Sequence, residues 1–256
     1  MLVEGVKMKA YTAFAYVYDE YMDNIPYDKW GKYMIGLLKD FGIGKDASVV
    51  DLGCGTGTVT RMLFDAGYDV VGIDMSEDML AIAADKIAQS GQDILYSCQD
   101  MREFQLPFKV DAFTSIGDSM NYITNVKDLE SVFKNVYDNI NDDGVFIFDL
   151  KTIHFFRDIL AENTYAENRD ESAFIWDNYY NEEDHNNEYD LAVFVMNDNG
   201  SFDRYEEQHF QHGFELSEVE EAANAVGLKV VAIFNAFTKN PPKDDSERVY
   251  YVLRKM

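Results

Sequence analysis

Between residues 48 and 160 the chain alternates short apolar runs with longer amphipathic segments. The runs SVVDLG and YDVVGID each precede a segment with apolar residues at helical spacing, TVTRMLFDAG and SEDMLAIAADKIAQSG. Short apolar runs fit buried strands, and strands that alternate with helices predict a parallel sheet. The series continues with the strands DILYSCQD and VDAFTSIG and a helix near residues 127–139. It then reaches the apolar strand VFIFDL, both faces of which must be covered.

End signals mark two of the predicted helices. Ser76 is placed to cap the helix that follows YDVVGID, and Gly91 comes directly after its last turn. Ser217, followed three residues later by Glu220, forms a capping-box pattern. We therefore expect another helix to begin at Ser217 and to end before Gly227.

The two flanks of this region follow other patterns. The first 45 residues are rich in aromatic side chains and predict helical pieces that break near Pro26, because proline cannot continue a helix from its interior. After about residue 160, the strand-like segments ESAFIWDNYYN, EYDLAVFVMND and SFDRYEEQHFQHG are separated by EEDHNN and NDNG. Two such hairpins predict a small antiparallel sheet. KVVAIFNAF and RVYYVLRK then return to the main sheet.

Together these elements predict an α/β fold. We expect a Rossmann-like sheet, mostly parallel with an antiparallel last strand, with helices on both faces. Residues 1–160 and 214–256 would form this core with its N-terminal helical segment, and residues 161–213 would form an inserted antiparallel lid. Because the lid follows a core strand whose end faces the ligand-binding edge, it is placed to cover that edge. Two roles are open for the aromatic residues of the lid: they either line a pocket or form the small sheet's own core.

Charge and composition narrow the possible partners. The net charge of −25 repels phosphate backbones, and no basic patch offsets it, so nucleic acid is not the expected partner. No apolar run approaches the roughly 18 to 20 residues that span a bilayer, and the first residues lack the apolar stretch of a signal peptide. We therefore expect no membrane association and a cytoplasmic location. Cys54 and Cys98 lie outside any zinc-type spacing, so no metal site is expected.

The candidate chemistry centres on the loop Asp51-Leu-Gly53-Cys-Gly55-Thr-Gly57, between an apolar strand and a helix. Alternate glycines let the backbone turn tightly and approach a ligand, and the amides at the helix start can hold an anionic group. A dinucleotide loop requires Gly-x-Gly-x-x-Gly, whereas counting from Gly53 places Thr58 last and Gly57 one residue early. The spacing therefore disfavours a nicotinamide dinucleotide.

With Asp51 at the strand end, this loop resembles the first motif of class I S-adenosylmethionine-dependent methyltransferases, acid-x-Gly-x-Gly-x-Gly. The likeness runs from about Ser48 to Leu150 with the motifs in the expected order. YTAFAYVYDEYMDNIPYDKW, SMNYI and EEQHFQHGFELSEVEEAANAVGLKV are similar to a bacterial subgroup of small methyltransferases and extend the likeness over nearly the whole chain. The resemblance implies S-adenosylmethionine as the methyl donor and S-adenosylhomocysteine as the product, but it does not identify the methyl acceptor.

The resemblance also implies roles for individual residues. Asp74 would accept hydrogen bonds from the ribose hydroxyls, Met75 would pack on the adenine, and Asp100 with Met101 would face the adenine edge. Gly117 and its neighbours would lie beneath the methionine moiety. An alternative is that Asp51 and Asp74 only cap adjoining helices, and that the early aromatic residues are core. The expected cofactor contacts are Tyr11, Tyr18, Trp30, Asp51, Gly53, Cys54, Gly55, Gly57, Asp74, Met75, Ser76, Met79, Asp100, Met101, Gly117 and Asp118.

Methyl transfer from a sulfonium mainly requires alignment in a dry pocket, so a base is optional. A protonated amine or hydroxyl acceptor needs one, and His209, His212, Asp118, Tyr122 and Glu207 are the titratable candidates. His209 and Tyr122 are the catalytic candidates; a packed or solvated lid histidine is the alternative for His209. A small molecule is the leading acceptor. RNA or protein methylation, a nicotinamide-dependent oxidoreductase and a non-catalytic cofactor-binding protein are the alternatives, and the oligomeric state is left open.

Overall fold

A computed structural model describes residues 7–8, 14–23 and 25–256 of the chain. Its helices are α1 (Ala15–Tyr21), α2 (Tyr27–Asp40), α3 (Thr58–Asp65), α4 (Glu77–Ser90), α5 (Val126–Asn139) and α6 (Leu216–Val226). Its strands are β1 (Lys7–Met8), β2 (Ser48–Leu52), β3 (Asp69–Asp74), β4 (Leu95–Cys98), β5 (Val110–Ser115), β6 (Ile140–Lys151), β7 (Thr164–Asn168), β8 (Ser172–Tyr180), β9 (Asn186–Met196), β10 (Phe202–His212), β11 (Leu228–Asn235) and β12 (Arg248–Lys255). None of these helices combines the length and apolar character needed to cross a membrane.

The main sheet has seven strands in the order β11-β12-β6-β5-β2-β3-β4. Strands β6, β5, β2, β3 and β4 pair in parallel, whereas β12 runs antiparallel to both of its neighbours, β6 and β11. This confirms the predicted mostly parallel sheet with an antiparallel last strand. The carboxyl ends of β2, β3 and β5 consequently meet at one edge, where α/β sheets bind ligands.

Helices cover both faces of the sheet, as the apolar character of β6 requires. Phe146 and Phe148 pack with Phe133 of α5 on one face. Their neighbour Ile147 points to the opposite face and packs with Leu37 of α2. Phe146 and Phe148 are fully buried, so truncating either one to alanine is expected to lower the free energy of unfolding by about 3–5 kcal/mol.

The second sheet has five strands in the order β1-β10-β9-β8-β7. Strands β7 to β10 are antiparallel, which confirms the predicted antiparallel insertion, and β1 adds to β10 in parallel. Phe174 and Trp176 pack in this sheet with Leu191 and Val193, and α1 covers them through Val17. These two aromatic residues therefore form the small sheet's own core.

Several sequence signals mark the element ends as predicted, and one does not. Ser76 Oγ accepts the amide hydrogen of Met79 at 3.2 Å, and Gly91 ends α4 in the left-handed conformation. The predicted cap at Ser217 is wrong, because α6 begins one residue earlier and its capping box joins Glu215 and Glu218. The carboxylate of Glu218 accepts the amide hydrogen of Glu215 at 2.8 Å, which fixes the helix start upstream of Ser217.

Asn121, in the 3-10 turn Ser119–Tyr122 after β5, joins the two sheets. Its side-chain amide donates to the carbonyl oxygens of Lys151 at 3.1 Å and His212 at 2.8 Å. Its side-chain oxygen accepts the amide hydrogen of Lys151 at 2.9 Å. The end of β10 is thereby held beside the ends of β5 and β6, so the small sheet borders the ligand-binding edge.

Candidate active site

A cavity of about 730 Å³ opens at the carboxyl ends of β2, β3 and β5. Its lining comes from the glycine loop, the start of α4, the turn after β5, helices α1 and α2, and strand β10. Twelve of the sixteen predicted cofactor contacts line it: Tyr18, Trp30, Asp51, Gly53, Cys54, Gly55, Asp74, Met75, Ser76, Met79, Met101 and Gly117. Gly57, Asp100 and Asp118 lie outside the lining, and Tyr11 lies outside the described residues.

The three glycines of the loop all have positive φ but have different surroundings. A Cβ on Gly53 would collide with Ser119, and one on Gly57 would collide with the hydroxyl of Tyr96, so both are required for packing. Around Gly55, by contrast, no described residue other than Gly55 and its two chain neighbours has an atom within 4 Å of the position that a Cβ would take. Gly55 thus leaves space in which a ligand can approach the backbone.

Asp74 ties this loop to β3. One carboxylate oxygen accepts the amide hydrogen of Gly55 at 2.8 Å, and the other accepts that of Ser76 at 2.9 Å. Burial raises the pKa of Asp74 above its usual value, while these amides act in the opposite direction. Because each carboxylate oxygen has two lone pairs, hydrogen bonds to a ligand remain possible.

Asp51 lies deeper, beneath the loop. It accepts hydrogen bonds from the hydroxyls of Thr60 on α3 at 2.7 Å and Thr114 on β5 at 2.9 Å. Burial raises its pKa to about 6, although the two threonines lower it. Asp51 therefore fixes α3 and β5 to the end of β2 and places an ionisable group at the base of the cavity.

Burial also raises the pKa of the Cys54 thiol well above its usual value, and the nearby Asp74 and Asp51 add to the shift. The thiol is consequently neutral at physiological pH and a poor nucleophile. Cys54 fits its position as a small residue in a tight loop.

Two acids predicted to face the cofactor are engaged elsewhere. Asp100 accepts hydrogen bonds from the Nε and the backbone amide of Arg102, at 3.0 and 2.9 Å, and the arginine lowers its pKa. Asp118 is paired with Lys151 at 2.7 Å and with Arg248. Their neighbours Gln99 and Ser119 line the cavity instead.

Aromatic and amide side chains from several elements also line the cavity. Tyr18 comes from α1, Tyr27 and Trp30 from α2, Tyr122 from the 3-10 turn, and Gln208 from β10. The hydroxyl of Tyr27 donates to that of Tyr18 at 3.3 Å, which joins the two helices. Elements of both sheets thus converge on the cavity.

Behind Tyr122 lies a chain of polar contacts. The Tyr122 hydroxyl is 2.9 Å from Nδ1 of His209, and Nε2 of His209 is 3.0 Å from a carboxylate oxygen of Glu207. The other oxygen of Glu207 accepts the amide hydrogen of Phe14 at 2.8 Å. His209 and Glu207 are buried outside the cavity lining, so Tyr122 separates them from the cavity. His212, the other lid histidine considered as a base, lies outside the lining and contacts Asn186.

Comparison with known proteins identifies the family. Residues 49–144 match a methyltransferase domain family. Over 245 residues the chain is 32% identical to a Geobacillus sp. (strain WCH70) protein named "putative methyltransferase", covering 96% of this chain and 99% of the relative. A crystal structure of an S-adenosylmethionine-dependent methyltransferase from Clostridium acetobutylicum ATCC 824 superposes with a TM-score of 0.85 at 25% identity, covering 96% and 99% of the two chains. The chain belongs to the S-adenosylmethionine-dependent methyltransferases.

This membership decides between the alternatives left by the sequence. The protein is an enzyme with S-adenosylmethionine as its cofactor, and the nicotinamide-dependent and non-catalytic alternatives are set aside. The methyltransferase is also 31% identical over 105 residues to a dTDP-3-amino-3,6-dideoxy-alpha-D-glucopyranose N,N-dimethyltransferase of Streptomyces fradiae. That match covers 41% of this chain and 40% of the relative.

The structure adds cavity residues of the methyltransferase that the sequence did not indicate. Gln208 neighbours the candidate His209, but alternation along β10 places the glutamine, and not the histidine, in the lining. Tyr27 was one of many early aromatic residues. The one feature that distinguishes Tyr27 in the sequence is its position directly after Pro26, where the helix α2 begins.

Proposed function

We propose that this methyltransferase transfers the methyl group to a small-molecule acceptor that is held beside the aromatic side chains of the cavity. The observation that carries the proposal is one continuous cavity of about 730 Å³ that joins the glycine loop to Tyr18, Tyr122 and Gln208. This volume lies within the range of about 300–1,000 Å³ that is usual for small-molecule sites. Donor and acceptor would then meet inside a site closed by α1 and the small sheet.

The residues at the loop end fit S-adenosylmethionine, which supplies the transferable sulfonium methyl group when it is bound. Asp74, which lines the cavity, would accept hydrogen bonds from the ribose hydroxyls. Met75 and Met101 would contact the adenine, since both are apolar residues of the lining and Met75 directly follows Asp74. The open space at Gly55 would admit the ligand against the backbone.

The inserted sheet and the negative net charge of the chain both favour a small acceptor over a macromolecule. Residues 161–213, which contain β7 to β10, would form the lid that selects the acceptor, while 1–160 and 214–256 would form the donor-binding core. A net charge of −25 opposes RNA more than it opposes a basic protein or a small molecule. The similarity to a sugar-nucleotide N,N-dimethyltransferase supports a small acceptor for the part of the chain that it covers. The cytoplasmic location stays a prediction from the sequence.

Calorimetric titration with S-adenosylmethionine and S-adenosylhomocysteine tests the cofactor site. We expect Asp74→Ala to weaken both ligands by roughly tenfold to a hundredfold, because a hydrogen bond to a charged group contributes about 1.5–3 kcal/mol. Asp69→Ala is the matched control, since Asp69 is an exposed aspartate at the opposite end of the same strand. Equal affinities in the two variants would overturn the role of Asp74.

Release of S-adenosylhomocysteine in the presence of candidate acceptors tests the acceptor class. We expect release with a low-molecular-weight fraction of a bacterial extract, and none with its purified RNA or protein fractions. Transfer confined to the RNA or protein fraction would replace the small-molecule proposal with macromolecular methylation.

A further inference from the structure

A histidine beside the cavity lies between a tyrosine and a carboxylate. Tyr122 contributes to the lining and its hydroxyl contacts Nδ1 of His209 at 2.9 Å. Nε2 of the same ring contacts Glu207 at 3.0 Å. His209 is 4% exposed and Glu207 is 2% exposed, so solvent is excluded from both.

The contacts fix which ring nitrogen carries the proton. An ionised Glu207 only accepts hydrogen bonds, so Nε2 of His209 then donates to it. In the neutral imidazole, Nδ1 then lacks a proton and accepts the hydroxyl hydrogen of Tyr122. Glu207 is itself held by the Phe14 amide at 2.8 Å, which sets its orientation toward the ring.

We propose that Tyr122, His209 and Glu207 form a proton relay, and that the acceptor is therefore a group that must lose a proton to be methylated, an ammonium or a hydroxyl. The inference rests on the proposed function and specifies its acceptor. Tyr122 is the catalytic residue because it alone of the three lines the cavity. His209 stores the proton, and Glu207 is a positioning residue that stabilises the imidazolium.

The transfer balances without a further reactant. As the acceptor atom bonds to the methyl carbon, the carbon–sulfur bond breaks and the sulfur keeps the electron pair. An ammonium acceptor gives its proton to the Tyr122 oxygen before the attack, which frees its lone pair, whereas a hydroxyl gives up its proton as the new bond forms. In both cases the phenolic proton moves to Nδ1 of His209. The resulting imidazolium pairs with Glu207 and, after the product has left, returns its proton through Tyr122 to water in the cavity. An acceptor without such a proton, a thioether or a carboxylate, would not use this chain.

Long-range ¹H–¹⁵N NMR of the full-length protein, saturated with S-adenosylhomocysteine at pH 7.5, tests the resting state of the relay. We expect His209, assigned by its absence in His209→Gln, to be the Nε2–H tautomer, and we expect Glu207→Gln to reduce that tautomer's population. His212 is an internal reference for the other tautomer, Nδ1–H, because its Nδ1 lies 2.9 Å from the side-chain oxygen of Asn186, which can only accept a hydrogen bond. An Nδ1–H or doubly protonated His209 would overturn the relay. Failure of the parent protein to bind S-adenosylhomocysteine would instead count against the proposed function.

A panel of small amines, amino sugars, alcohols, thioethers and carboxylates tests the acceptor class. We expect transfer to amines or alcohols, with Tyr122→Phe lowering kcat by about a hundredfold or more at little change in KM. Tyr180→Phe is the matched control, because Tyr180 makes a similar 2.8 Å contact with His185 outside the cavity lining. The class is overturned if a protein that binds the donor transfers only to thioethers or carboxylates, or to no amine or alcohol. Equal kcat in Tyr122→Phe and Tyr180→Phe would overturn the catalytic role.

Discussion

The hydroxyl of Thr56 donates a hydrogen bond of 2.7 Å to the carboxylate of Asp19, which links the glycine loop to α1. The other carboxylate oxygen of Asp19 pairs with Nζ of Lys86 on α4 at 2.6 Å, and Lys86 also donates to the carbonyl of Thr56 at 3.1 Å. Tyr18, the neighbour of Asp19, lines the cavity. These contacts hold α1 beside the cofactor end of the cavity, so they are placed to slow ligand release.

Asp19→Asn should therefore speed the dissociation of S-adenosylhomocysteine, measured by stopped-flow displacement. A partly exposed ion pair stabilises by up to about 1 kcal/mol, which corresponds to an increase of about fivefold in the dissociation rate. Asp28→Asn is the control, since Asp28 makes an exposed pair with Lys32 on the adjacent helix. Identical rates in the two variants would show that α1 does not restrain the ligand.

Gly55→Ala should weaken cofactor binding more than it weakens the fold. Gly55 has φ of +54°, so alanine is strained there by roughly 1–2 kcal/mol, but the space around its Cβ position is open. Gly91→Ala is matched in strain, because Gly91 has φ of +69° and similarly open surroundings at the end of α4. Chemical unfolding should show similar losses for both variants, and calorimetry should show loss of affinity only for Gly55→Ala. Retained affinity in Gly55→Ala would mean that the ligand does not approach this backbone.

The sequence predicted the main sheet well because its signals are local. The apolar character of VFIFDL, the cap at Ser76 and the stop at Gly91 each depend only on residues within a few positions of the signal itself. The strand β7 (Thr164–Asn168) escaped prediction, since its side chains are mostly exposed and it owes its strand conformation to pairing with β8. The two-residue β1 depends likewise on a partner about 200 positions away, which no local pattern indicates.

The same distinction applies to the site. The glycine loop and Asp74 lie at strand ends, where topology alone brings them together. The orientation of Asp118 could not be predicted, because its partners Lys151 and Arg248 are distant in sequence and turn it away from the lining. The contact between Tyr122 and His209 likewise depends on how the small sheet packs, although both residues were candidates from sequence.

Arg248→Met should destabilise the protein strongly. The guanidinium pairs with Asp118 and Asp149 and lies 4.8 Å from the ring of Trp30. Burial favours protonation of Asp118, but Arg248 and Lys151 outweigh it and hold its pKa below the usual value. Removing the arginine leaves buried acids uncompensated, so we expect a loss of about 3–5 kcal/mol in the free energy of unfolding. Arg204→Met is the control, because Arg204 makes a half-exposed pair with Glu206, and its free energy of unfolding should fall by less than about 1 kcal/mol.

Asp51 should make the stability of the protein depend on pH between about 4 and 6. Burial raises its pKa from the ordinary 3.8 to about 6 in the folded state, so within this interval the folded chain keeps a proton that the unfolded chain releases. Its contribution to stability is therefore complete below pH 3.8, falls as the pH rises through 6, and levels off above, by roughly 3 kcal/mol in total. Urea unfolding of the parent and Asp51→Asn at pH 4.5, 5.5, 6.5 and 7.5 isolates this contribution, because the other groups cancel in the difference. We expect the stability of Asp51→Asn relative to the parent to increase with pH and to become constant near pH 7; a difference that is the same at all four values would mean that Asp51 ionises with its ordinary pKa.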